Sequence, residues 1–150
     1  MGAPVELVDI YPTLMELLDM DTPEFVSGKS FAPLLKDSNA RVRESALTEL
    51  GVNTGYGAKV SGYSIKTERY RLTQWGYRGV LGFELYDHKY DKQELNNLAN
   101  LDSYRFIKDS LTNVLSYRIS EAQRKPKGLE IIFDDAREWR EPREVFSQPK

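Results

Sequence analysis

Apolar residues near the N-terminus fall at Val5, Leu7, Val8, Ile10, Leu14, Leu17 and Leu18, and the later ones recur at the three- and four-residue spacing of one helix face. The pattern predicts a helix from Asp9 to Leu18. Asp9 is its expected N-cap, and Pro12 stands in the first turn, where a missing N–H has no partner to lose. Asp19-Met20-Asp21-Thr22-Pro23 ends the helix, and a loop with Gly28 and Pro33 leads through Leu34 and Leu35 to a polar turn, Lys36-Asp37-Ser38-Asn39. Segments near Glu44–Glu49, Tyr63–Lys66, Tyr70–Trp75 and Gly82–Tyr86 then read as strands. Their links are too short for parallel crossovers, so antiparallel pairing is expected. From Asp102 to Ser120, Ile107, Leu111, Val114, Leu115 and, less regularly, Tyr104 share a face, with Asp102 or Ser103 as N-cap. The expected fold is α+β: an antiparallel sheet of about four strands, a C-terminal helix packed on one face, and a preceding N-terminal helix.

The chain has 150 residues, enough for one domain with a real core, since a chain of that size buries about 70% of its unfolded surface. Its 21 basic and 23 acidic residues leave a net charge of -2, which offers nothing to hold a polyphosphate backbone, so nucleic acid is not an expected partner. With no cysteine there is no disulfide, thiolate metal site or cysteine nucleophile, although the compartment stays open. No apolar stretch approaches the roughly 20 residues that span a bilayer, and a membrane is not an expected partner. Met1 to Glu6 lacks the basic and apolar regions of a signal, which leaves room for one upstream in a longer parent. After Ala122 the composition shifts to Arg124-Lys125-Pro126-Lys127-Gly128, a short apolar run at Leu129–Phe133 and a charged stretch at Arg137–Glu144. The expected organisation is a subdomain over 1–122, with helix and connection in 1–40 and sheet and helix in 41–122, followed by a linker and charged tail over 123–150.

Three blocks carry a family resemblance: VELVDIYPTLMELLDM from Val5, GKSFAPLL from Gly28, and GYSIKTERYRLTQW from Gly62 with ELYDHKYDKQELNNLAN from Glu84. In this order and spacing they resemble the C-terminal subdomain of the sulfatases, members of the alkaline phosphatase superfamily, and are closest to the iduronate-2-sulfatase-like branch. The resemblance implies a parent that hydrolyses sulfate esters, of a sulfated sugar or polysaccharide, with an α/β catalytic domain joined to a small α+β subdomain. It also implies a formylglycine, whose hydrate attacks sulfur, and a calcium ion that stabilises the anionic transition state. Both belong to the catalytic domain. No catalytic residue, metal ligand or cofactor is carried over to this chain, which is expected to be inactive alone. The implied partners are a sulfatase catalytic domain, in the same parent chain or a separate one, and a sulfated carbohydrate. The implied parent is secreted, periplasmic or lysosomal.

Two short motifs imitate the missing machinery. Ser120-Glu121-Ala122-Gln123-Arg124 fits the Ser-x-Ala-x-Arg pattern of serine-type formylglycine sites, but it closes a helix where the functional motif opens one, and it reads as a solvated helix end. Asp134-Asp135 follows Leu129–Phe133 as a calcium-binding pair follows the family's first strand, yet Glu130 would charge a buried strand and calcium wants six to eight oxygens. His88, the single histidine, is expected to cap the turn beside Asp87. Asp91, Glu94 and Asn97 match the family's Asp-x-x-Glu-x-x-Asn-Leu pattern and are expected to bond backbone in a turn, with Lys92 where the family commonly has proline.

The binding candidates are on loops, where a rigid scaffold positions mobile side chains. Asn53–Lys59 and Gly76–Gly79 combine glycine with aromatic and cationic groups suited to an anionic sugar. Arg78 pairs a carboxylate there, Tyr77, Tyr56 or Trp75 packs on a ring, and Lys59 adds charge. The alternative makes Trp75 core and the rest solvated hairpin residues. Two functions remain: a sulfatase subdomain working with its catalytic partner, or a stand-alone interaction or carbohydrate-binding domain derived from one. An uncovered apolar face on the helix Asp9–Leu18 favours the first.

Overall fold

The computed structural model describes residues 2–53 and 59–124. A short 3-10 turn, Leu7–Asp9, leads into α1, Ile10–Leu17, and a loop then reaches α2, Ala32–Lys36. The sheet follows as β1, Ser45–Asn53, β2, Lys59–Thr67, β3, Tyr70–Trp75, and β4, Gly82–Asp87, and α3, Arg105–Ala122, comes last. The strands lie in the order β1-β2-β3-β4 with antiparallel neighbours, the expected α+β meander.

Register and alternation together make the core. Leu47, Ile65, Leu72 and Leu85 stand opposite one another across the strands and therefore share a face. Across it lies α3, whose Leu111 and Leu115 join Ile65, Leu72, Leu85 and Ala99 in one buried cluster. Ile65, Leu72, Leu85 and Leu115 are fully buried, each stabilising the fold by about 1.5 to 3 kcal/mol of transferred surface. The stripe that packs is Ile107, Leu111, Leu115 and Ile119, an i, i+4 row. Val114, expected on that face, is exposed, because a row stepping by four residues leaves it on the flank.

β1 and β2 outrun their apolar patterns, which stop near Glu49 and start near Tyr63. The ladder continues through Gly51↔Ser61 to Asn53↔Lys59, so backbone pairing decides these ends. The outer edge of β4 is covered. Leu98 N–H donates to the Leu85 carbonyl at 2.8 Å, Leu85 N–H donates to Asn97 Oδ1 at 3.0 Å, and Asn97 Nδ2 donates to the Phe83 carbonyl at 3.1 Å.

The N-terminal arm is held differently. Asp9 stands at the N-cap position of α1, but its fully buried carboxylate does not cap that helix. Oδ2 accepts from Glu6 N–H at 2.8 Å, and Oδ1 accepts from Lys29 N–H at 2.8 Å and from the Arg43 guanidinium. The 3-10 turn ahead of α1 moved the capping position upstream, to Glu6. Glu6 Oε1 accepts from Leu47 N–H at 2.6 Å and Arg118 Nη2 at 2.7 Å, Glu6 Oε2 pairs Arg43 Nη1 at 2.8 Å, and Arg118 Nη1 donates to the Ser45 carbonyl at 2.6 Å. One ionic cluster thus ties the arm to β1 and α3. Gly28 is required because a Cβ there would stand 2.0 Å from the Val8 carbonyl oxygen.

Candidate functional site

A meander puts alternate hairpins at the same end of its sheet, so the end of β1 and the start of β2 lie at the same end of the sheet as the β3–β4 connection. Gly76 N–H donates to the Ser61 carbonyl at 2.9 Å and fastens the second connection to β2. There the chain turns through Gly76 (φ 71), Arg78 (φ 51) and Gly79 (φ 78), closed by bonds from Gly79 N–H to the Gly76 carbonyl and from Leu81 N–H to the Trp75 carbonyl. Arg78 occupies the left-handed region without glycine's freedom, at a cost of roughly 1 to 2 kcal/mol. Its guanidinium lies 5.1 Å from the centroid of the Tyr77 ring, and both side chains are exposed. The structure therefore brings Arg78 and Tyr77 together at a rigid tip. Lys59 begins β2 at the same end of the sheet, opposite Asn53, while Tyr56 and the Lys59 side chain lie outside the described residues.

Trp75 belongs neither to the loop nor to the core. It is half-buried on the sheet face opposite α3, where its ring covers Gly62; a Cβ at Gly62 would stand 2.6 Å from Trp75 Cε3. On the same face Lys66 and Arg71 are direct cross-strand partners, and neither was a candidate from the sequence. A signal was available, since Lys66 and Arg71 flank the turn at Thr67–Tyr70 symmetrically, and a tight hairpin there sets them opposite each other. Burial, and next the charge of Arg71, lower the Lys66 pKa, against the pull of Glu94 and Glu68. Arg71 Nε lies 2.9 Å from Glu94 Oε1, a Coulombic contact in which the N–H misses the oxygen.

His88 does not cap the turn. Its Nε2 lies 2.5 Å from Glu94 Oε1, while Asp87 shapes the turn by accepting from Lys89 N–H at 3.1 Å. Glu94, with φ 58, consequently serves Arg71 and His88 where a backbone bond was expected. Asp91 does bond backbone, accepting from Asn96 N–H at 2.8 Å. Asp87 is gripped by Arg69 through two bonds, of 2.8 and 2.6 Å. Those bonds hold its carboxyl below the ordinary range; burial opposes them, and the Lys89 N–H adds to them.

Ser120 Oγ donates to the Tyr117 carbonyl at 2.7 Å, on an exposed last turn of α3, as expected of a solvated helix end. Asp134 and Asp135 lie outside the described residues. Among the described residues no three acidic or histidine side chains gather into a cage, and the buried carboxylates Asp9 and Asp87 are both taken by arginines. These residues do not fit a calcium site, and no step through that ion can be assigned to them. No described helix is long and apolar enough to cross a membrane.

α1 is uncovered. Leu14 and Leu17 are about half exposed, at 51% and 52%, and Leu7, Leu18 and Met20 flank them at 86%, 67% and 56%. This geometry coincides with a family assignment, because a family model described as N-sulphoglucosamine sulphohydrolase, C-terminal, matches residues 3–123. The chain belongs to this family of sulfatase C-terminal domains. Mouse arylsulfatase K is 32% identical over 101 residues, which are 63% of this chain and 18% of that protein. A putative sulfatase from Bacteroides thetaiotaomicron superposes with a TM-score of 0.66 at 29% identity, covering 76% of this chain and 24% of that one. A 2-O GAG sulfatase superposes with a TM-score of 0.65 at 28% identity, with the same coverage. The chain spans about a fifth to a quarter of the length of these relatives.

Proposed function

We propose that this chain is the C-terminal subdomain of a sulfatase that hydrolyses sulfate esters of a sulfated sugar or polysaccharide. Residues 1–122 form the subdomain; the linker and charged tail expected over 123–150 lie, beyond Arg124, outside the described residues. The catalytic domain supplies the formylglycine and the calcium, and this chain shapes the substrate cleft. The observation that carries the reading is the uncovered apolar face of α1, since monomers rarely leave such a patch open and a docked catalytic domain would cover it. A stand-alone domain would leave that face without a role. The likeness to a 2-O GAG sulfatase supports the finer placement in the iduronate-2-sulfatase-like branch.

Within this reading, Arg78 is the leading substrate contact, with Tyr77 second and Lys59 third, and Tyr56 and Trp75 beside them. A residue remote from the reacting ester alters binding without supplying a reactive group. The test reconstitutes the parent enzyme with Arg78→Ala and compares an acidic sulfated oligosaccharide with a small aryl sulfate. The oligosaccharide's kcat/KM falls by about tenfold, the worth of one shielded charge-assisted contact, while the aryl sulfate is unchanged. Equal effects on both substrates would remove Arg78 from substrate choice. The chain alone hydrolyses neither.

A further inference from the structure

Among the described residues α3 covers one face of the sheet, and no helix packs on the other. Alternation and register set three rows across that open face: Ala46, Lys66, Arg71 and Tyr86; then Thr48, Ser64, Thr73 and Glu84; then Leu50, Gly62, Trp75 and Gly82.

The first row breaks a local rule. Like charges directly opposite each other destabilise a sheet, and a rule broken without local compensation is expected where something binds. Glu94 compensates only in part, because one carboxylate serves both Arg71 and His88. Lys66 Nζ donates to the Thr67 carbonyl at 2.8 Å, and among the described residues no carboxylate reaches it at ion-pair distance. Its lowered pKa has the direction expected of a half-buried ammonium pressed against another cation, a cost that an incoming anion would offset. Glu84 sits on β4, at the far end of the middle row, and the small Ala46 is the β1 partner of Lys66, so the side of the face toward β1 carries no acidic position in these rows.

The third row offers a different surface. The Trp75 ring lies over Gly62, and the place where a side chain of Gly82 would stand has nothing within 4 Å. A wide ring between two glycines presents an aromatic surface on an open face. Between the rows, Thr73 Oγ1 donates to Ser64 Oγ at 3.0 Å, and both residues are buried, so the middle of the face offers a ligand no free hydroxyl and contact falls to the two outer rows. Arg71 and Trp75 are four positions apart along β3, a rise of roughly 13 Å, on the scale of two linked sugars.

We propose that the sheet face opposite α3 binds an acidic saccharide, with Trp75 stacking on one sugar ring and the Lys66–Arg71 pair holding a sulfate or carboxylate on its neighbour. The proposal needs no catalytic domain, so its failure and that of the cleft-shaping role of Arg78 are separable. The experiment titrates the 150-residue chain with a sulfated uronate–hexosamine disaccharide, its desulfated counterpart, and sodium sulfate alone. Backbone amide signals of Lys66 and Arg71 and the indole N–H of Trp75 are followed by NMR, with Trp139→Phe to assign the indole. The sulfated disaccharide is expected to move all three signals with one saturation curve. Lys66→Met, which keeps the apolar stem, weakens that binding by about tenfold without loss of folded signals, and Trp75→Ala weakens it independently. Loss of affinity on desulfation assigns the sulfate as the held group, and retention assigns the carboxylate. The proposal is overturned if the disaccharide moves none of the three signals, if affinity survives Lys66→Met, or if sodium sulfate shifts Lys66 as strongly while Trp75 never responds, which would leave a bare anion contact and no saccharide site.

Discussion

The sheet with α3 and the N-terminal arm are two halves of one small chain held together by opposite means. In the sheet unit, fully buried leucines and an isoleucine meet across β2, β3, β4 and α3. In the arm, the buried residues are Asp9, Pro12, Thr13 and Ala32 with Arg43 beside them, and Leu7, Leu14, Leu17, Leu18 and Leu35 are exposed. A region that buries its carboxylate and exposes its apolar face does not fold around a core of its own. Under the proposed function it serves as an adaptor, fixed to its own domain by directional ionic bonds and offering its apolar side chains to the catalytic domain.

The sharpest way to break the comparison is to remove equal side chains from each half. Leu72→Ala leaves a cavity under α3 and is expected to cost about 2 to 5 kcal/mol of global stability. Leu14→Ala deletes the same atoms from an exposed face and should cost under about 0.5 kcal/mol. Urea denaturation of both variants decides it; similar losses would mean that the arm has a hidden core.

A smaller global effect follows from Asp9→Ala, which leaves Arg43 buried beside Glu6 alone and the N–H groups of Glu6 and Lys29 without their acceptor. Here the expected loss is local. Hydrogen exchange of arm amides should quicken by at least about tenfold while the amides of β2 and β3 keep their protection. If the whole chain loosens together, the arm and the sheet are one cooperative unit.

Acid sharpens the comparison within the sheet unit. The folded pKa of Asp87 is depressed, so its ion pair contributes stability that is fully present above its unfolded pKa, near 3.9, and is lost as pH falls through the lower folded value. Asp91 is shifted the same way, by the backbone N–H of Asn96 first and that of Leu95 next. The midpoint of thermal unfolding should therefore fall as pH drops from about 5 to about 3, and Asp87→Asn should flatten that slope while lowering the midpoint at neutral pH. An unchanged slope in the variant would assign the acid sensitivity to other carboxylates.

Legibility in the sequence followed the same divide. Strand type, antiparallel order and the packing of the last helix were readable, because they rest on alternation and periodicity, which a sequence displays directly. Strand ends were not, since the ladder runs through Gly51 and Gly62, where pairing outlasts hydrophobicity. Asp9 was readable as a residue that ends a turn, but not as the hub of a cluster with Arg43, Glu6 and Arg118, whose members lie up to 112 residues apart. Arg78 and Tyr77 were legible as residues of an exposed turn, because glycines on both sides announce one. Lys66 and Arg71 passed as ordinary polar strand positions, although the tight turn between them implied the register that sets two cations face to face. His88 was misassigned because Glu94, six residues away, bends back through a positive φ that nothing in its side chain favours.

The smallest effect on the chain itself is the most telling for its role. Leu14→Asp with Leu17→Asp places two charges on the open face of α1, where neither side chain supports a core, so the midpoint of the isolated chain should move little, within the half-kilocalorie range of roughly ±0.5 kcal/mol usual for surface changes. Assembly is another matter. If that face docks on the catalytic domain, two carboxylates would be drawn out of water with no cation waiting for them, and association should fail while the sheet remains folded. Sedimentation of the doubly substituted chain with the catalytic part, beside circular dichroism of the chain alone, separates the two. A folded variant that still assembles would mean that the apolar face of α1 is covered by something other than the catalytic domain, and that the arm's adaptor role lies elsewhere.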